Sequence, residues 1–246
     1  MAPSIEEQVK MALKLAQRSA DYMEIQNVMG KHMYYHGAGK HHEELNELWA
    51  QKHEVTWSSN FGVQVGMESV RKNYGYGHDK ANQAALEKVI KLHPEVENKS
   101  ENWGIGTLIA HVLTTPVIEI AEDGQTAKGV WYSPGIVTET GPDGKPQPLH
   151  MWEKYGVDFI KEDGAWKIWH IHMYYDITFA PGTSWTDPPK PPPAQPVDAK
   201  KPAATSSRSY DRESTVMYRN YSETTVPVIL PELPKPYKTF DDVTPY

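Results

Sequence analysis

Apolar residues in the first part of the chain recur at helical spacing. In "PSIEEQVKMALKLAQRSADYMEIQNVMGKHMYYHGAG" the positions Val9, Leu13, Ile25, Val28 and Met29 follow that period. Ser19 or Asp21 is placed to divide this stretch into two helices, and Gly37 and Gly39 to stop the second. "HHEELNELWA" predicts a short further helix, "HEVTWSS" a strand, and "GMESVRKNYGYGHDKANQAALEKVIKLHP" a return to helix. From there the period changes. "GTLIAHVLTTPVIEIAE", "TAKGVWYSPGIVTET", "LHMWEKYGVDFIKE" and "AWKIWHIHMYYDITF" are strand-like runs, separated by the turn words "EDGQ", "GPDGK" and "EDGA". No strand–helix–strand alternation is present. The order predicts an α+β fold in which a mostly antiparallel sheet lies beside an N-terminal helical layer.

The last run, "KIWHIHMYYDI", raises a chemical question. Strict alternation puts Trp166, Ile168, His170, His172 and Tyr174 on one face, and Lys167, Trp169, Ile171 and Met173 on the other. Two imidazoles at i and i+2 suit either a metal site or a wet aromatic pocket. A metal would need further ligands, and Asp176 is the only carboxylate close by. No metal is therefore expected, and His170 and His172 are read as pocket-lining groups.

Prolines divide the chain. Thirteen of the 20 lie from Pro181 onward, and "PPKPPPAQPVDAKKPAATSSRS" reads as an extended linker without core formers. The following "TVMYRNYSETTVPVILPELPKPYKTFDDVTPY" regains Tyr218, Tyr221, Val228, Ile229 and Leu230, more apolar character than a disordered tail needs. The expected organisation is an α+β domain over residues 1–180 and a proline-rich extended arm over 181–246. The arm wraps the body or a partner subunit, and a homodimer or higher homo-oligomer is expected through it.

Composition narrows the classes. The formal net charge is −7 and there is no long Lys/Arg cluster, so no nucleic-acid partner is expected. Cysteine is absent, which excludes disulfides, thiolate nucleophiles and thiolate metal ligands and fits a reducing compartment. "MAPSIEEQVK" has no apolar core of a secretory signal, and no apolar run approaches the roughly 20 residues of a membrane helix. No membrane association and a cytoplasmic location are the expectations.

Three words carry a family resemblance: "EIQNVMGKHMYYHGAGKHHEELNELW", "HVLTTPVIEIAEDGQTAKGVWY" and "YGVDFIKEDGAWKIWHIHM". With the order of elements, they resemble the SnoaL-like branch of the NTF2-like superfamily, over most of residues 15 to 178. The resemblance implies a cone, in which a curved sheet wraps around a long helix with a pocket between them. It also implies cofactor-free dehydratase, isomerase or cyclase chemistry on steroid, polyketide or phenolic substrates, although the superfamily includes non-enzymatic members. His111 holds the place of the family's strand histidine. His32 and Gly37 stand where a helix-borne tyrosine and aspartate are usual, and His172 stands where a basic residue faces the pocket. Tyr35 is the better placed of the two neighbouring tyrosines to substitute, since Tyr34 turns away by roughly 200° at about 100° per residue.

The expected site therefore has His111, His32, His172 and Tyr35 as catalytic groups. His170, Trp57, Trp131, Trp166, Tyr174 and Asp158 are expected to contact substrate, with Asp158 placed to orient a histidine if its strand face looks inward. Glu153, on the opposite face with Tyr155, is the weaker carboxylate. His36, His41, His42 and His53 read as solvated helix-end residues. The activity expected is a cofactor-independent lyase that eliminates water or a small carbonyl compound from an aromatic, possibly lignin-derived, or polycyclic substrate. An isomerase or cyclase, and a non-catalytic binding or assembly module, are the alternatives.

Overall fold

The computed structural model describes residues 3–187, 210–214, 221, 223–224 and 226–246. The proline-rich stretch 188–209 lies outside the described residues, as does Tyr218.

One helix, α1 (Ile5–Gly37), replaces the pair expected around Ser19 and Asp21. Ser4 caps it, its hydroxyl accepting from the Glu7 backbone N–H while the Glu7 carboxylate accepts from the Ser4 N–H. Asp21 does not break the helix because it points inward. Its carboxylate accepts from the Trp166 indole at 3.0 Å and pairs with Lys161 at 2.7 Å, which holds its pKa down against the opposing effect of burial. The short α2 (His41–Glu47) turns back against α1. A hairpin follows, β1 (Thr56–Ser59) and β2 (Gly62–Val65). The next helical run comprises α3 (Gly66–Val70), a π-helical turn (Arg71–Gly75) and α4 (Tyr76–Leu92).

The sheet contains β3 (Leu108–His111), β4 (Val117–Ile120), β5 (Thr126–Thr140), β6 (Pro146–Glu162) and β7 (Ala165–Phe179). Its order is β2-β1-β7-β6-β5-β3, with β4 also on β5. Among the described strands β1 and β7 run parallel, and the other pairs are antiparallel. The Asp163–Gly164 turn joins β6 to β7 with both residues at positive φ, 52° and 83°, the geometry that matches hairpin twist. The result is α+β: a curved mixed sheet whose concave face packs on α1, α2 and α4.

Two bulges govern which side chains enter the concave face. In the β6–β7 ladder Asp158 pairs with His170 but Phe159 pairs with Ile168, so Trp169 is an extra residue. A second shift, between Trp152 and Glu153, leaves Asp176 extra. Each extra residue inverts the alternation beyond it. Trp166 and Ile168 join the core, and so do Ile171 and Met173. His170, His172 and Tyr174 turn to the convex face. The single-face arrangement expected for Trp166 through Tyr174 is corrected accordingly.

The convex face is covered by the chain's own C-terminal segment. Tyr246 donates its backbone N–H to Asp158 Oδ2 at 2.9 Å, and its ring sits against Gly156, where a Cβ would come within 2.7 Å of it. Lys128 bonds Asp158 at 2.5 Å and the Thr244 carbonyl at 2.8 Å, and its ammonium lies 3.9 Å from the centre of the Tyr246 ring. Among the described residues no helix is long and apolar enough to cross a membrane.

Candidate active site in the cone

The concave face encloses a cavity of about 110 Å³, walled by His36, His78, His111, Tyr74, Glu153 and Tyr175, with Trp57, Met151 and Met173 among its apolar sides. His111 is the last residue of β3, opposite Gly135 of β5. That glycine makes room for the imidazole. A Cβ there would lie 2.8 Å from His111 Cγ and 2.9 Å from Nδ1. His111 Nδ1 is 3.5 Å from Glu153 Oε2, and both side chains are almost wholly buried. The Tyr155 hydroxyl donates to the same Glu153 oxygen at 3.0 Å. Burial, and secondarily the nearby His32, lowers the His111 pKa, while a hydrogen bond to the Ser133 backbone opposes the shift. His111 is thus neutral near pH 7, the form that accepts a proton.

The opposite wall is a histidine cluster hung on a buried carboxylate. Glu44, fully buried on α2, accepts from His32 Nδ1 at 2.9 Å, the Trp49 indole at 2.9 Å and the Tyr74 hydroxyl at 3.0 Å. Three donors are what a buried carboxylate requires. The Tyr74 oxygen is 3.3 Å from His36 Nδ1, which is 3.0 Å from His41 Nε2. The rings of His41 and His78 stack at 4.0 Å, and His78 Nδ1 donates to the Tyr74 carbonyl at 2.5 Å. Burial, then the neighbouring histidines, holds His36 well below the ordinary imidazole range. His36 and His111 face each other, ring centres 6.1 Å apart. Among the described residues no group of three or more His, Cys, Asp or Glu side chains is arranged to hold a metal ion.

The structure sorts the residues singled out from sequence. His111 and Trp57 line the cavity. His32 lies behind it, on Glu44 and edge-on to Tyr155 at 5.9 Å. Tyr35 is outside, its hydroxyl on Glu47. Trp131 and Trp166 are core residues; Trp131 lies over Gly129 and edge-on to Phe159. His170, His172, Tyr174 and Asp158 are on the convex face. There Asp158 does hold a histidine, His170, at 3.0 Å, but beneath the C-terminal segment. Burial alone lowers the His172 pKa to about 4.

The solvated reading is corrected for His36 and His41, which are enclosed. His42 is half-buried on Asp79 at 2.8 Å, and His53 pairs with Glu162 at 2.8 Å. Glu153, read from sequence as the weaker carboxylate, lines the cavity, as do Tyr74 and His78, which the sequence reading did not single out; nor did it single out Glu44 behind them. A signal for Glu153 existed: Tyr155, Val157 and Phe159 alternate with Lys154, Gly156 and Asp158, and the apolar set marks the inner face that includes Glu153.

Residues 17–172 match the model of the SnoaL-like domain family. The chain belongs to the SnoaL-like domain family. No curated protein matches it. Solved structures of similar fold include an NTF2-like protein from Novosphingobium aromaticivorans (16% identity, TM-score 0.43, covering 70% of this chain and 92% of that one). The hexachlorocyclohexane dehydrochlorinase LinA-type3 from Novosphingobium barchaimii is another (13%, TM-score 0.46, covering 71% and 99%).

Proposed function

We propose that this SnoaL-like protein is a cofactor-independent lyase whose general base is His111. The observation that carries the reading is a buried imidazole facing the cavity with a buried carboxylate, Glu153, 3.5 Å from its Nδ1. His111 takes a proton from carbon or hydroxyl of the substrate. The released electron pair forms the new double bond and the leaving group departs. Glu153 stabilises the imidazolium formed in that step, as carboxylates behind catalytic histidines do. The imidazolium then returns its proton to the leaving oxygen, or to the carbon freed when a small carbonyl compound is released. His36 is the polar group of the facing wall that can hold the leaving oxygen, the part the sequence suggested for His32 and His172, while the Tyr74 hydroxyl, which donates to Glu44, offers that wall an acceptor. A general acid–base group of this kind contributes on the order of 10²–10⁴-fold.

The substrate class we favour is phenolic or polycyclic. Its ring provides the electron sink, which is why no cofactor is needed, and the walls offer Trp57, Tyr74 and Tyr175 for stacking. Ligand pockets for such molecules span roughly 300–1,000 Å³, more than this cavity holds. Binding therefore requires wall side chains to move, and the flexible Met151 and Met173 are suited to it. The test is a native mass spectrometry screen against phenolic dimers, steroids and polyketide-like compounds, followed by product mass. Loss of water or of a small aldehyde from a bound phenolic supports the reading. Unchanged product mass supports an isomerase instead, and no turnover of any bound compound overturns it.

A further inference from the structure

The outward side of α1 carries a largely apolar stripe, interrupted by Asn27. At about 100° per residue, Ile5, Val9, Ala12, Ala16, Ala20, Met23, Gly30 and Tyr34 fall within a narrow band. The core-facing positions Ile25, Val28, Met29 and His32 lie on roughly the opposite side. The stripe is open: Ile5 is 81% and Tyr34 85% exposed, with Val9, Leu13 and Met23 each more than half exposed. A Cβ on Gly30 would meet nothing within 4 Å. Mid-helix glycine costs up to about 1 kcal/mol relative to alanine, and no neighbour within this chain explains its presence. Residues 5–17 of the helix are exposed all round, and an isolated helix of that length is marginal in water.

We infer that this stripe pairs with the α1 stripe of a second copy of the chain, the two helices running antiparallel. The residue sizes select that occupant and register. Placing Ile5 against Tyr34 of the other copy sets Val9 over Gly30, Asn27 over Ala12 and Met23 over Ala16, a larger side chain against a smaller one at these three levels, and puts the two-fold axis between Ser19 and Ala20. Knob-into-hole packing of close helices needs this complementarity. Charge agrees. In that register Glu6 comes beside Lys31 of the other copy on one flank. Lys31, held within its own chain by Glu47 at 2.7 Å, remains more than half exposed.

The test uses the full chain, which has no native cysteine. Val9→Cys with Gly30→Cys introduces thiols 21 positions apart on one helix, about 31 Å, too far to join within a chain. Under mild oxidation the double variant is expected to form a covalent dimer while each single variant does not. Sedimentation equilibrium is expected to show self-association weakened at least tenfold by Ala16→Glu, with circular dichroism unchanged. Cross-linking of Val9→Cys alone would replace antiparallel by parallel pairing and overturn the inference. So would a monomeric wild type at micromolar concentration, or unaltered association in Ala16→Glu.

Discussion

Gly135→Ala isolates the contribution of His111 geometry without touching a titratable group. The glycine has no positive φ, so alanine suits its backbone, and in a strand the change itself gains about 0.5–1 kcal/mol. The new methyl, however, would sit 2.8 Å from His111 Cγ and 2.8 Å from the Ala110 carbonyl oxygen. Carbon–carbon contacts settle near 3.5–4.0 Å, so the imidazole must retreat by about 1 Å. Overpacking of this kind costs about 1–3 kcal/mol. The net loss of stability is therefore at most about 2.5 kcal/mol, read in urea unfolding, and the fold survives. A misplacement of about 1 Å at the reacting group costs on the order of 10²-fold, so turnover should fall by that factor. Proton–carbon NMR of the His111 ring gives a readout independent of substrate. Its titration midpoint, held below 6.5 in the wild type by burial, should change as the ring moves. Wild-type turnover together with an unchanged His111 titration would refute the argument that Gly135 seats the imidazole.

Other consequences can be checked separately. Glu153→Gln keeps an acceptor for Tyr155 but removes the charge beside His111, so the acid limb of the pH–rate profile should move to lower pH and kcat should fall. His172 is neutral in the fold until about pH 4, whereas the unfolded chain binds that proton near 6.5. Stability should therefore decline as pH falls through this window, by on the order of 3 kcal/mol, and the gap between denaturant midpoints at pH 7 and 4.5 should narrow in His172→Leu, the remainder coming from His36 and His111. Lys128→Met strips a buried partner from Asp158 and should cost about 3–5 kcal/mol, measured by chemical denaturation. Treatment with a chelator should leave turnover of protein purified without a histidine tag unchanged.

The residues show where sequence pattern suffices. Asp-Gly turns and alternating strands marked β5, β6 and β7, because positive-φ glycines and period-two burial are local properties. That His111 faces the cavity agrees with its place before "TTPVIEI". The convex position of His170, His172 and Tyr174 was not, because one extra residue at Trp169 inverts the face, and nothing local separates a bulged strand from a regular one. His36 and His41 looked solvated because their enclosure comes from the π-helical turn bringing Tyr74, more than 30 positions on, against them. Asp21 looked like a helix break because its partners, Lys161 and Trp166, lie over a hundred positions away.

The central claim is that chemistry occurs in the cone around His111 and not on the convex strand face. Comparing the pH dependence of kcat/KM in His111→Ala and His172→Ala, on the substrate found by the screen, tests it most directly. In His111→Ala a fall of about 10² or more and loss of the acid limb are expected, with turnover and limb retained in His172→Ala. Near-full turnover in His111→Ala, with loss of activity in His172→Ala, would contradict it.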